Sequence, residues 1–225
     1  MRKYFHLSIC HINDCDFPLT QIKNVFLRNT GPQALHQKQL QKMMGLEGVN
    51  YYSDLGGKGD IKGKSHLLEL FNLKYPVIPT IDDIKDITIL GDVENFLIKP
   101  LNGADSNGVE IVQHKDIIRT KISNCLVQPY IEFEYEVSFY FINDQFHYAL
   151  YGADKFKRWE LSNYTPSQED IAFAQKFINW NSCKYGIQRV DACRTMSGDL
   201  WLMELEDYNP YLSLDLLQKN VKRVG

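Results

Sequence analysis

The hydrophobic pattern of the chain changes period along its length. Residues 3–9 alternate apolar and polar side chains and predict a strand. A helix is expected over 32–44, where Gly31 and Pro32 mark a start and Gly45 a stop, though Leu35, Gln39 and Met43 are not perfectly amphipathic. A short strand at 48–52 runs into Gly56, Gly57, Gly59 and Gly63, a flexible loop ended by Lys64. Lys64 opens a helix whose Leu67, Leu68 and Phe71 share a face. Past Tyr75 the chain becomes richer in strands, after an extended connection through Pro76, Pro79 and Thr80. Strands are predicted at 96–99, 109–112, 126–129, 136–142 and 146–151, the last two joined by an Asn-Asp-Gln turn. The last helix spans 166–180, with Thr165 as N-cap, Pro166 in the first position and Gln168 completing a capping box. Its buried stripe is Ile171, Ala174, Phe177 and Ile178. The shift near residue 75 divides an N-terminal α/β region, 1–75, from 76–225, and the fold class is α/β shading into α+β.

Two acids interrupt the most apolar of these runs, Leu-Trp-Leu-Met-Glu-Leu-Glu ending at Glu206. Residues 188–194 and 200–206 form a hairpin if Ser197-Gly198 is a two-residue turn. That register sets Asp191 opposite Glu204 and Arg189 opposite Glu206, all on one face, with Val190, Ala192, Met203 and Leu205 on the other. A solvated polar face is the plain reading of such a pattern. Like charges set directly opposite each other are destabilising, however, and a divalent cation removes the repulsion. Hard Mg²⁺ takes one or two carboxylates and completes its shell with water and phosphate oxygens. Asp191, Glu204 and Glu206 therefore suit two Mg²⁺ ions bridging a nucleotide, with Arg189 meeting the transferred phosphoryl charge.

A second feature suits phosphate. The strand at 96–99 ends in Lys99, and the Gly-, Asn- and Ser-containing loop 101–108 follows before the next strand. Backbone N–H groups of such a loop can fold over an anion beside the lysine. It is not a Walker P-loop, because no G-x-x-x-x-G-K-[ST] occurs and no helix follows directly.

Composition narrows the class. The 225 residues are 44% hydrophobic, enough for one large domain or two small ones. With 25 basic against 28 acidic residues and no dense Lys/Arg block, a nucleic-acid partner is not expected. No run of apolar residues is long enough to span a bilayer and His6 and Ser8 interrupt the start, so no membrane association is expected and the location is read as cytoplasmic. Five cysteines without a C-x-x-C pair suit reduced thiols. His6, Cys10, His11 and Cys15 cluster near the start, but alternation with Leu7 and Ile9 explains them as a strand and loop without zinc.

The order of these features carries a resemblance. Lys64 opening a helix that leads to Val77-Ile78-Pro79-Thr80, then FLIKPLNGADSNGV, LVQPYIEFEYEVSFYFIND and the hairpin RVDACRTMSGDLWLMELE with NPYLSL after it, resembles the ATP-grasp superfamily. Within it, the chain looks closest to the glutathione-synthetase-like and RimK-like carboxylate–amine ligases, in a small E-x-E variant. The resemblance covers about residues 50 to 217. It implies an ATP-grasp fold with a shortened N-terminal α/β subdomain, a lid subdomain at about 76–130 and a C-terminal antiparallel-sheet subdomain at about 131–225.

Carried over by position, the resemblance implies that Lys64 and Lys99 contact ATP phosphates under a lid loop that includes Gly103, Ser106 and Gly108. Gln128, Pro129, Tyr130 and Ile131 become the hinge that holds adenine through its backbone, and Glu136 binds the ribose hydroxyls. Asp191, Glu204 and Glu206 become the Mg²⁺ ligands, for two ions, Mn²⁺ being an acceptable substitute, and Arg189 the transition-state cation. Many relatives carry Asn where this chain has Glu206, and Asn209 replaces a frequent acid and is given no ligand role. The implied activity is ADP-forming: a small-molecule or peptide carboxylate is activated as an acyl phosphate and joined to an amine or similar nucleophile. Lys155 and Arg158, flanked by Phe156 and Trp159, are the candidates for the substrate carboxylate, with Arg28 a third. About 60 residues precede Lys64, so a homodimer that completes the pocket is a reasonable expectation. A small-molecule kinase and a non-catalytic ATP-binding module are the alternatives.

Overall fold

The computed structural model describes residues 23–26, 47–52, 54–102, 107–120, 122–154, 157 and 160–214. The strand expected at 3–9, the His/Cys cluster, Arg28 and the helix at 32–44 lie outside the described residues.

The largest sheet is five-stranded and antiparallel, in the order β10-β9-β6-β7-β8. Its strands are β6 (Phe133–Ile142), β7 (Gln145–Gly152), β8 (Leu161–Tyr164), β9 (Ile187–Thr195) and β10 (Leu200–Glu206). The pleat sends Val137, Phe139 and Phe141 of β6, Val190 and Ala192 of β9 and Leu200, Leu202 and Leu205 of β10 into one core. The helices α1 (Ser65–Asn72) and α3 (Gln168–Asn181) cover that face: Leu67 and Leu70 of α1 and Phe173, Ala174, Phe177 and Ile178 of α3 complete the same cluster. Val77 joins it as well, so the chain passes residue 75 inside a single core.

The second sheet has three antiparallel strands in the order β4-β3-β5, namely β3 (Asn95–Pro100), β4 (Glu110–Gln113) and β5 (Cys125–Pro129). One face carries Phe96, Ile98 and Val127 into a smaller core with Ile81, Leu90 and Ile117, under the 3-10 segment Ile84–Leu90 and the short helix α2 (His114–Ile117). By alternation Leu97, Lys99, Leu126 and Gln128 occupy the opposite face. A third, parallel pair joins β1 (Asn24–Phe26) to β2 (Asn50–Tyr52).

Three local expectations are corrected. The turn between β9 and β10 encloses three residues, Met196, Ser197 and Gly198, within the Thr195–Asp199 pair, because the Thr195 N–H donates to Asp199 O and Gly198 takes φ +89°. The longer turn shifts Leu200 and Leu202 by one residue from the expected register, and a bulge at Met203 restores it: Leu202 pairs with Ala192, but the next paired residue, Glu204, pairs with Asp191. Leu202, not Met203, is therefore the core residue. The helix α3 starts two residues late. Ser167 is its N-cap and accepts from the Asp170 N–H at 3.2 Å, while Asp170 accepts from the Ser167 N–H at 3.0 Å. Asp170 is fixed there by Arg194 at 2.6 Å and the Tyr164 hydroxyl at 2.8 Å, contacts that only the folded chain supplies. In α1 the deeply buried residues are His66, Leu67 and Leu70, with Leu68 and Phe71 at the margin. The strand β8 had no signal in the hydrophobic pattern. No helix among the described residues is long and apolar enough to cross a membrane.

Candidate active site

The bulge at Met203 decides which face the acids take. Leu200 and Leu202 point into the core, the extra residue resets the alternation, and Glu204 and Glu206 emerge on the other face with Arg189 and Asp191. The outer edge of β10 is covered where Leu202 N–H donates to Pro76 O at 2.9 Å and Ile78 N–H donates to Leu202 O at 3.2 Å. Glu204 stands opposite Asp191 and Glu206 opposite Arg189, the pairing expected from the sequence.

These side chains form a charge cluster. Carboxylate oxygens of Asp191, Glu204 and Glu206 lie within 4.8 Å of one another. Arg189 clamps Asp191 with Nε to Oδ1 at 2.9 Å and Nη2 to Oδ2 at 2.8 Å, and its Nη2 also donates to Glu206 Oε1 at 2.6 Å. Arg189 Nη1 donates to Tyr211 O at 3.0 Å, in the segment after the hairpin. Ser138, which pairs with Asp191 across β6 and β9, donates to Asp191 Oδ1 at 2.6 Å. Lys64 is ion-paired to Glu204.

The electrostatics follow from burial and these neighbours. Burial works against the Glu204 carboxylate, but the Lys64 ammonium and then Lys99 hold its pKa below the ordinary value. Glu206 goes the other way: burial, against the pull of Arg189 and helped by the charges of Asp191 and Asp60, pushes it up to about 9. Burial lowers the Lys99 ammonium, opposed by Glu204 and aided by Lys64. Three carboxylates thus face two ammonium groups and one guanidinium, an arrangement whose remaining capacity is for a cation among the acids and an anion beside the lysines.

Backbone contacts bring the two lysines together. Lys64 N–H donates to Leu101 O at 2.8 Å, two residues beyond Lys99. Gly63 is held at φ +79°, where an added Cβ would lie 2.8 Å from Leu101 O and from Asn102 Oδ1. Gly108, at φ +75°, lies against Pro100, whose Cγ is 2.9 Å from where a Cβ on Gly108 would stand. Gly103 and Ser106 are outside the described residues, as are Lys155 and Arg158.

Few backbone donors are free in the segment expected to hold adenine. Pro129 has no N–H and the Tyr130 N–H donates to Asn95 O at 2.9 Å, so neither has an amide to give a base, and a backbone donor of this segment must come from Ile131 onward. Gln128 is buried on the Lys99 face of its sheet, opposite Leu97. Thr80 gives its hydroxyl proton to Ile78 O, so Gln128 must donate to Thr80 Oγ1 through Nε2, at 2.8 Å, and its Oε1 has no partner among the described residues. Glu136 lies opposite Cys193, on the face of β6 shared with Ser138.

Sequence reasoning missed four residues that hydrogen-bond around this cluster: His66, Ser138, Asp60 and Asp207. Ser138 was legible as the apolar-polar alternation of β6 beside Asp191. Asp207 and Asp60 gave no signal, since their link joins segments 147 residues apart. His66 was hidden as the one polar member of an apolar helix face.

No family model matches the sequence, and no curated protein matches it. Solved structures do share its shape. D-cycloserine synthetase DcsG superposes with a TM-score of 0.68 at 17% identity, covering 93% of this chain and 84% of that one. The ATP-grasp ligase PsnB, complexed with minimal precursor, Mg and ADP, gives 0.63 at 15% identity over 86% and 72%. The macrocyclase MdnC bound with precursor peptide MdnA, from Microcystis aeruginosa MRC, gives 0.63 at 12% identity over 88% and 74%. At such identities the likeness is one of fold.

Proposed function

Because the chain has the ATP-grasp fold, we propose that it is an ATP- and Mg²⁺-dependent ligase that activates a carboxylate as an acyl phosphate and joins it to an amine or similar nucleophile. The observation that supports this most is the convergence of Asp191, Glu204 and Glu206 with Arg189 and Lys64 on one sheet face.

The donor set fits Mg²⁺: the carboxyl groups of Asp191, Glu204 and Glu206 bring hard oxygens within 4.8 Å of one another. Asp191, Glu204 and Glu206 would hold the ion, whose charge would offset that of the phosphates. Lys64 and Lys99 hold phosphate oxygens from the other side, and Gly103, Ser106 and Gly108 are assigned to the same phosphates. Gln128 and the segment through Ile131 face the base, and Glu136 the ribose. Lys155 and Arg158 are assigned to the carboxylate substrate.

In the first step a substrate carboxylate oxygen attacks the γ-phosphorus while the bond to the ADP oxygen breaks. In the second, the amine attacks the acyl carbon, phosphate leaves, and the amine loses a proton. Arg189 faces the transferred group, and the protein's part is mainly positioning and charge neutralisation. Ser138 fixes the rotamer of Asp191, keeping one ligand oxygen in place before binding.

The test is Mg²⁺-dependent ADP release against a panel of amino acids, dicarboxylates and short peptides, with hydroxylamine present. Trapped hydroxamate together with ADP supports the ligase. ADP with a stable phosphorylated product instead assigns a kinase, and no ADP from any member of the panel removes the enzymatic reading.

A further inference from the structure

His66 is among the most buried polar side chains of the cleft, 1% exposed, and none of the roles above uses it. Its Nε2 lies 3.3 Å from the Leu205 N–H and its Nδ1 3.0 Å from Gly63 O. A backbone N–H can only donate, so Nε2 is the bare nitrogen; Nδ1 then carries the proton and gives it to the Gly63 carbonyl. The ring is a neutral imidazole in one tautomer, and burial, which lowers its pKa, keeps it so.

The two atoms it joins are neighbours of the charged cluster. Gly63 immediately precedes Lys64, and Leu205 lies between Glu204 and Glu206. One rigid ring thus spans from the backbone of the lysine corner to the backbone of the acid strand. The corner's other bonds run elsewhere: Gly63 N–H to Asp60 O at 2.8 Å and Lys64 N–H to Leu101 O at 2.8 Å. The Lys64 side chain does reach Glu204, but through a flexible stem whose ammonium must also meet a ligand. On its helix His66 stands beside Leu67 in the buried face, where a leucine would fill the space and leave both backbone groups unpaired.

We propose that His66 is a positioning residue for the nucleotide phosphates: it sets the spacing between Lys64 and the carboxylates of Glu204 and Glu206. The inference rests on the nucleotide-binding reading above. It adds a residue that touches neither phosphate nor metal and acts through the two segments that do.

The test compares His66→Leu and His66→Gln with the unsubstituted protein. Glutamine Oε1 reaches the place of Nε2 and accepts from Leu205, whereas leucine fills the volume without an acceptor. Dissociation constants are measured by calorimetry for ADP with Mg²⁺ and for adenosine, which has no phosphate, at a temperature where circular dichroism shows each variant folded. His66→Leu is expected to weaken ADP by about tenfold, the scale of losing a hydrogen bond beside charged groups. Adenosine stays unchanged, and His66→Gln recovers most of the ADP affinity. Should the leucine variant not fold, His66→Asn carries the same expectation, since it keeps a donor near Gly63 but falls short of Leu205. Unchanged ADP affinity with a lowered melting temperature makes His66 a stability residue only and overturns the proposal, as does an equal loss for ADP and adenosine. If the unsubstituted protein binds neither compound, the nucleotide reading itself falls and takes the inference with it; intact binding that is indifferent to His66 removes the inference alone.

Discussion

Asp60 and Asp207 accept hydrogen bonds across one gap in opposite directions. Asp207 takes the N–H groups of Gly59 at 2.8 Å and Ile61 at 3.0 Å, while Asp60 Oδ1 takes those of Asp207 at 2.7 Å and Tyr208 at 3.0 Å. The glycine-rich segment is thereby tied to the end of β10, next to Glu206. Burial, with the Asp207 carboxylate beside it, pushes the Asp60 carboxyl up to about 8.

That shift has a definite sign for stability. A carboxyl whose pKa is raised in the folded state binds its proton more tightly there, so its contribution is complete below pH 3.8 and is lost as pH rises to about 8. Asp60→Asn keeps an acceptor oxygen and removes the titration. Its melting temperature, followed against pH, is expected to fall less than that of the unsubstituted protein across this window; parallel curves would discard the latch as a proton site.

Glu206 gives a second pH-linked expectation. With its carboxyl pushed up to about 9, it holds a proton at neutral pH that a cation must displace. Binding of Mg²⁺ or Mn²⁺ is predicted to release protons, and affinity to rise with pH up to that value. Calorimetry in buffers of different ionisation enthalpy reads the release, and Glu206→Gln should abolish it.

Removing either acid of the opposed pair tests the metal assignment. Glu204→Gln and Asp191→Asn are expected to lower Mg²⁺-dependent turnover on the order of 10²–10³-fold with circular dichroism unchanged. Turnover within a factor of two of the original would remove both residues from the metal site.

The close approach at Gly59 makes a stability prediction. A Cβ there would stand 2.7 Å from Leu205 O and 2.9 Å from the Asp207 carboxyl carbon. Gly59→Ala is predicted to cost about 1–3 kcal/mol by overpacking, seen as a melting temperature lower by roughly 2–10 °C. An unchanged melting temperature would mean that the latch gives way freely.

Much of the site was written in local patterns. The acids of β10, the Arg189 and Asp191 that face them, Lys99 at the end of a strand and Lys64 at the head of a helix are all visible as alternation, spacing and turn residues. These are properties of neighbours in the chain, which the pleat and the helix convert directly into faces. The pairing of Glu204 with Asp191 was legible for a less secure reason: a turn read one residue too short was offset by a bulge not read at all.

What only the tertiary structure decided is where distant segments meet. The start of α3 moved to Ser167 because Asp170 bonds Arg194 and Tyr164. Met203 bulges where the chain at 76–78 docks on the edge of β10, so that Leu202 faces the core while Glu204 faces the cleft. His66 and Asp207 fill their roles only because Leu205, Gly59 and Ile61 arrive beside them. The sequence determined which charged side chains alternate with apolar ones on each strand; the bulge at Met203 and long-range backbone hydrogen bonds, which no local period encodes, determined which faces the acids take and which of those faces look at one another.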